Sequence, residues 1–134
     1  MKPHIEVAAA ILWHRDRILI SQRDSNSHLP GFWEFPGGKR EAGESYEECL
    51  VREIREELNA EVEVGKLVET IVYEYSEKQV TLKFFSCSYL GGEVRALGCR
   101  QFQWILAREL LSYQFPPANE SIVRMLAAGT NSES

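Results

Sequence analysis

Between Gly38 and Glu57 the chain carries Glu44, Arg52, Glu53, Glu56 and Glu57 in the frame G-x5-E-x7-R-E-I-x-E-E, with Ile54 at its one apolar position. Ser45 followed three residues later by Glu48 is a capping box, so the spacing predicts a helix over Tyr46–Leu58. At ~100° per residue, Glu53, Glu56 and Glu57 fall within an arc of about 100°, and Leu50, Ile54 and Leu58 form the neighbouring apolar stripe. Such a helix has to dock its stripe on a sheet and leave three carboxylates side by side. Those carboxylates repel one another unless a cation sits among them. Hard oxygen donors with coordination positions to spare suit Mg²⁺ shared with a phosphate chain. A metal held there neutralises phosphate charge, orients a water and lowers its pKa.

Just upstream, Glu34-Phe35-Pro36-Gly37-Gly38-Lys39 reads as a strand end and a Gly-Gly turn. Glycines let backbone approach a ligand closely, which makes the Gly37 carbonyl a further candidate for the metal. The whole frame resembles the Nudix box, the signature of hydrolases that cut nucleoside diphosphates linked to another group. Six such identities coincide by chance on the order of 10⁻⁷ per starting position. Asn59 stands where that family usually has Gly, and Ala60 where it has a larger aliphatic. Asn tolerates the left-handed conformation, so Asn59 still ends the helix. The resemblance implies an α/β fold, an α/β/α sandwich with a curved mixed sheet between helices. It also implies an Mg²⁺-dependent pyrophosphohydrolase in which Mn²⁺ is a possible substitute. Gly37, Glu53, Glu56 and Glu57 then hold the metal, and Glu53, Glu44 and Arg52 form the catalytic set.

With 134 residues the chain has room for one domain with a real core, expected to span it from end to end. Its net charge of -5, with no Lys/Arg stripe on any predicted element, argues against a nucleic-acid polymer as partner. A phosphorylated small molecule is compatible with that charge, because a bound metal supplies local positive charge. There is no signal peptide and no apolar run long enough for a membrane span. Cys49, Cys87 and Cys99 are odd in number and lack C-x-x-C spacing, which points to reduced thiols in a cytoplasmic protein, expected to be a monomer.

Hydrophobic patterning predicts paired strands at Ile5–Leu12 and Arg17–Gln22, a loop at Asp24–Gly31 and a short strand at Trp33–Phe35. After the box helix, Leu67–Tyr75 and Gln79–Tyr89 read as a hairpin turning near Glu77-Lys78, and Phe102–Leu106 as a last strand. A short helical turn around Leu110, Leu111 and Tyr113 precedes Pro116-Pro117, and a final helix runs from near Asn119 to Ala128, stopped by Gly129. The tail Thr130–Ser134 is expected to fray.

Beyond the box, the chain resembles the MutT-like branch of the family, which hydrolyses 8-oxo-dGTP to the monophosphate and pyrophosphate as part of nucleotide-pool sanitation, in support of DNA replication and repair. The stretches concerned are Arg23, His28, Glu34-Phe35-Pro36-Gly37-Gly38-Lys39, Tyr73-Glu74-Tyr75, Thr81-Leu82 and Phe115-Pro116-Pro117-Ala118-Asn119-Glu120. The resemblance implies that Asn119 pairs with the guanine edge, Phe35 helps by its backbone, and Arg23 and His28 lie along the nucleotide. Glu34, Gly38, Lys39, Tyr75 and Lys78 complete the substrate-binding set. A carboxamide offers a donor and an acceptor side by side, as the purine O6 edge requires. Asn119 equally suits the role of helix cap. Two positions depart from the branch: Lys78 replaces an Arg, losing planar stacking, and Gly98 replaces a Glu proposed as base or metal ligand. Glu93 is the nearest carboxylate to Gly98 in sequence, with Glu44 or Glu53 as the other candidate bases. Two further readings stand beside this one: a relative specific for CTP or a modified pyrimidine nucleotide, and a non-enzymatic 8-oxoguanine-binding module.

Overall fold

The structure is a computed structural model that describes residues 1–26 and 29–129. Its centre is strand β1 (His4–His14), which pairs in parallel with β6 (Gln79–Gly91) from His4 to Trp13. On its other edge β1 pairs with β2 (Arg17–Gln22) near one end and with β4 (Gly37–Lys39) near the other. β3 (Trp33–Glu34) and β7 (Gln101–Leu106) flank β2, and β5 (Glu61–Glu74) closes the far edge against β6. A mixed, seven-stranded sheet results.

Side chains on a strand alternate between faces, and β1 supplies both cores by that alternation. Ala8, Ala10 and Leu12 join Cys49, Leu50, Ile54 and Leu58 of helix α1 (Tyr46–Leu58). Ala9, Ile11 and Trp13 join Ile122, Val123 and Leu126 of helix α2 (Glu120–Ala127), together with Leu110 from a 3-10 turn at Ala107–Ser112. The expected α/β/α sandwich is therefore what forms. Leu50, Ile54 and Leu58 are fully buried, and each contributes on the order of 1.5–3 kcal/mol to docking α1.

Helix α1 has the boundaries that its sequence signals predict. Ser45 Oγ accepts from Glu48 N at 3.0 Å, and Ser45 N donates to Glu48 Oε1 at 2.8 Å. Asn59 ends the helix at φ 56°, ψ 36°, with its N–H on Arg55 O at 3.0 Å. Its side chain adds a bond that the sequence did not announce, Nδ2 to Glu93 O at 3.0 Å. Asn59→Ala should therefore cost roughly 1–2 kcal/mol in chemical denaturation, since it loses that bond and strains a left-handed residue. Asn59→Gly loses the bond but relieves the strain, so it should stay within about 1 kcal/mol of wild type. A glycine variant as unstable as the alanine variant would assign the whole cost to the Glu93 contact.

Two sequence expectations need correction. Gly37–Lys39 is a short strand hydrogen-bonded to Val7–Ala9, not a turn, because a Cβ on Gly37 would overlap the Ala8 carbonyl and only glycine permits that pairing. β5 begins at Glu61 rather than Leu67, its register shifting between Val64 and Leu67 and again before Glu69, which breaks the alternation in sequence. The last helix, Glu120–Ala127, lies within a residue of its expected bounds at each end and follows a 3-10 turn at Pro117–Asn119. The tail from Thr130 and the His28 assignment lie outside the described residues.

Candidate active site

The acidic face of α1 meets the backbone of β4. A Cβ on Gly38 would collide with the Glu53 carboxyl, so the glycine is what lets that carboxylate lie flat against the strand. Arg52 gathers the surrounding acids. Its Nη2 donates to Glu44 Oε1 at 2.7 Å and its Nε to Glu44 Oε2 at 3.1 Å, a bidentate clasp. Nη1 reaches Glu53 Oε2 at 3.1 Å and Glu56 Oε1 at 3.2 Å, and Nη2 also caps the Lys39 carbonyl at 3.1 Å.

These partners separate the carboxylates chemically. Glu44, bonded by Arg52 and by the Glu41 N–H, is held down to about 2, so it stays ionised and is a poor proton acceptor. Glu53 is pushed up by burial, against the pull of Arg52. Glu57 is pushed up to about 8 by burial first, then by the nearby charges of Glu34 and Glu53, with a backbone contact from Gly37 acting the other way. Glu56 is the open member, its side chain 60% exposed against 17% for Glu53.

Burial first, and neighbouring carboxylates second, disfavour the charged forms of Glu53 and Glu57, a cost that a cation beside them would offset. Glu53, Glu56, Glu57 and the Gly37 carbonyl are all hard oxygen donors, the chemistry that Mg²⁺ or Mn²⁺ selects. Among the described residues no three such side chains already converge on one point. By donor chemistry the set suits a hard divalent cation that takes the rest of its shell from elsewhere.

Beside the acids opens a cavity of about 840 Å³. Arg23, Glu34, Phe35, Gly37, Gly38, Lys39, Glu57, Tyr75 and Asn119, all expected from the sequence, line it. Arg23 is engaged there, its Nη1 on Glu34 Oε1 at 2.7 Å, and burial raises the Glu34 carboxyl despite that partner. The Phe35 ring packs in the core, stacked on Phe115 with centroids 5.2 Å apart and edge-on to Phe84 at 5.9 Å. Asn119 is 8% exposed and, among the described residues, makes no side-chain cap bond with α2.

Other expected residues fall elsewhere. Lys78 does not line the cavity; its ammonium sits 5.4 Å from the centroid of the Tyr75 ring. Glu93 pairs with Arg95 on an exposed loop, its side chain 74% exposed, and is not part of the cavity wall. That loop is fastened to the end of α1, with Leu97 N and Gly98 N on Glu57 O at 2.9 and 3.0 Å, so Gly98 lies directly against Glu57. Sequence reasoning missed Leu29 and Asp24 in the wall, and assigned no site role to Tyr73, which stacks on Tyr75 at 5.9 Å. The alternation Tyr73–Tyr75 puts both rings on one side of the chain as it leaves β5 and was a usable signal.

Residues 7–125 match the family described as NUDIX domain. The chain belongs to the Nudix family. It is 36% identical over 124 residues to the CTP pyrophosphohydrolase of Escherichia coli (strain K12), covering 92% of each chain. It is 32% identical over 123 residues to the 8-oxo-dGTP diphosphatase of the same strain, covering 91% of this chain and 95% of that one. The solution structure of the E. coli ORF135 protein is similar with a TM-score of 0.83 at 35% identity, covering 95% of this chain and 91% of that one. As a Nudix hydrolase it is a pyrophosphohydrolase of nucleoside triphosphates, of a family that works with a divalent metal. The Nudix box expected at Gly38–Glu57 lies wholly inside the matched stretch.

Proposed function

We propose that this Nudix hydrolase is MutT-like and converts 8-oxo-dGTP to 8-oxo-dGMP and pyrophosphate, clearing an oxidised precursor before it can be incorporated into DNA. The observation that carries the reading is Asn119. Its carboxamide is buried at the wall of the cavity, its side chain is not spent on capping α2, and it can pair with a purine edge. The 8-oxo-dGTP diphosphatases among its relatives support the same substrate.

In this reading Gly37, Glu53, Glu56 and Glu57 hold Mg²⁺, with Mn²⁺ as a substitute. When bound, the metal neutralises the triphosphate and lowers the pKa of the attacking water. Glu53, set against Gly38 and bonded by Arg52, is the general base of this reading, and Glu44 holds Arg52 in place. Arg23 and Lys39 face the phosphates from the cavity wall, while Phe35 and the stretch Val7–Ala9 shape the base pocket. The enzyme acts as a cytoplasmic monomer on free nucleotides; the three free cysteines accord with a reducing compartment, and among the described residues no helix is long and apolar enough to cross a membrane.

A MutT-like reaction directs water to the β-phosphorus. Hydrolysis in ¹⁸O-water should then label pyrophosphate and leave the monophosphate unlabelled; label in the monophosphate would mean attack at the α-phosphorus. The relative that acts on CTP gives a second reading, a pyrimidine nucleotide as substrate. Rates of pyrophosphate release from 8-oxo-dGTP, dGTP and CTP with Mg²⁺ decide between them.

A further inference from the structure

Outside the box, a second cluster of charged side chains sits where β1, β4 and the first turn of α1 meet. Glu6 is its centre. Its carboxylate accepts from Arg40 Nε at 3.1 Å, from Arg40 Nη2, and from the Tyr46 hydroxyl at 2.9 Å. The backbones join too, Arg40 N donating to Glu6 O at 2.8 Å. Lys83 Nζ lies 4.3 Å from the centroid of the Tyr46 ring, and the Arg40 guanidinium 5.6 Å from it. Arg40 has one further bond, and it points towards the site: Nη1 donates to the Glu44 carbonyl at 2.7 Å.

We propose that Arg40 is a positioning residue for catalysis, which, clamped by Glu6, fixes the loop that carries Glu44 and through Arg52 sets the Glu53 carboxylate. The contacts are continuous: Glu6 holds Arg40, Arg40 holds the Glu44 backbone, the Glu44 carboxylate holds Arg52, and Arg52 holds Glu53. The loop needs such a hold. It contains Gly43 at φ 87°; its internal ties are Glu41 N to Glu44 Oε1 at 2.8 Å and Glu44 N to Glu41 O at 3.2 Å, and on the α1 side Arg52 holds it by the Glu44 carboxylate. Arg40 is what links it to the rigid central strand. A planar guanidinium serves two acceptors at once, a carboxylate on one edge and a carbonyl on the other, which a lysine ammonium on a flexible stem does not reproduce. A displacement of a catalytic group by about 1 Å is enough to cost up to about 10²-fold in rate.

The test uses Arg40→Ala, Arg40→Lys and the charge-exchanged pair Glu6→Arg/Arg40→Glu, with Glu6→Gln as a milder change should Arg40→Ala fold poorly. Turnover is followed on whichever of 8-oxo-dGTP and CTP the wild type hydrolyses faster, and affinity for Mn²⁺ alone is measured in parallel. We expect kcat to fall about tenfold in Arg40→Ala with KM little changed, and Mn²⁺ to bind several-fold more weakly. Arg40→Lys should rescue little, and Glu6→Gln should move kcat and Mn²⁺ affinity in the same direction by less. The exchanged pair should recover thermal stability without recovering kcat, since its glutamate cannot donate to the Glu44 carbonyl. Wild-type kcat and Mn²⁺ affinity in folded Arg40→Ala would overturn the proposal, as would a kcat that returns with stability in the exchanged pair. The inference rests on Glu53 working in the site; hydrolysis of neither nucleotide by the wild type would count against the proposed substrates, while the Mn²⁺ arm still tests Arg40.

Discussion

Glu57→Gln should slow turnover by at least about 10²-fold and, at the same time, make the metal-free protein more stable. The first effect follows from the proposed metal role of Glu57, since the change removes its charge and keeps the side-chain shape. The second follows from the Glu57 carboxyl, which is pushed up to about 8 from an ordinary value of 4.5 by burial and by Glu34 and Glu53. Between those two values the folded protein binds more protons than the unfolded chain. Its stability therefore declines as pH rises through that window, and the penalty is complete above about 8. Glutamine carries no charge, so the variant escapes the penalty. At pH 8 without metal its Tm should exceed the wild-type Tm by several degrees, on the order of 1–3 kcal/mol, and the gap should close towards pH 4.5. Added Mg²⁺ should raise the wild-type Tm and leave the variant nearly unmoved. A variant that turns over normally and melts no higher at pH 8 would falsify the metal-ligand assignment.

Asn119→Ala is the second large effect, and its selectivity matters more than its size. A site built to hydrogen-bond a base penalises any change that leaves the base's polar groups unpaired, so kcat/KM for 8-oxo-dGTP should drop by roughly 2–4 kcal/mol, about 30- to 10³-fold. Nucleotides that the wild type handles poorly should lose little. If Asn119 served α2 instead, the change would lower stability by about 1 kcal/mol and slow every substrate alike. Its side chain makes no cap bond among the described residues, which favours the first outcome. Should the wild type prefer CTP over 8-oxo-dGTP, the Nudix membership stands and the base assignment moves to a pyrimidine.

Most of this arrangement was legible in the sequence where short-range rules govern it. Helix α1 was bounded by Ser45, Glu48 and Asn59, all of which act within one turn, and the spacing of Glu53, Glu56 and Glu57 by itself placed them on one face. What failed depends on partners distant in the chain. Gly37 and Gly38 look like a turn until Val7–Ala9 arrives to pair with them. The start of β5 was hidden by its shifts of register, which are defined only against β6. The division of labour among the acids was hidden for the same reason: nothing near Glu44 in sequence reveals that Arg52 claims both its oxygens, and Glu57 is pushed up first by its burial in the fold and then by Glu34, which β3 brings beside α1. Arg40 carried no motif at all; only the fold brings it to Glu6.

The double duty of β1 restricts how this enzyme can drift in length. One residue inserted between Ile5 and Trp13 would turn over everything beyond it, presenting to α2 the side chains that now meet α1, and the reverse. Two residues would restore the facing but slide the strand by about 6–7 Å, carrying Gly37 and Gly38 away from Glu53 because β4 is bonded to Ala8 and Ala9. Substitutions in β1 cost packing, whereas a change in its length removes the catalytic geometry altogether. Descendants of this chain should therefore vary β1 in composition and confine insertions and deletions to the loops after Gln22 and Gly91, at the rim of the site.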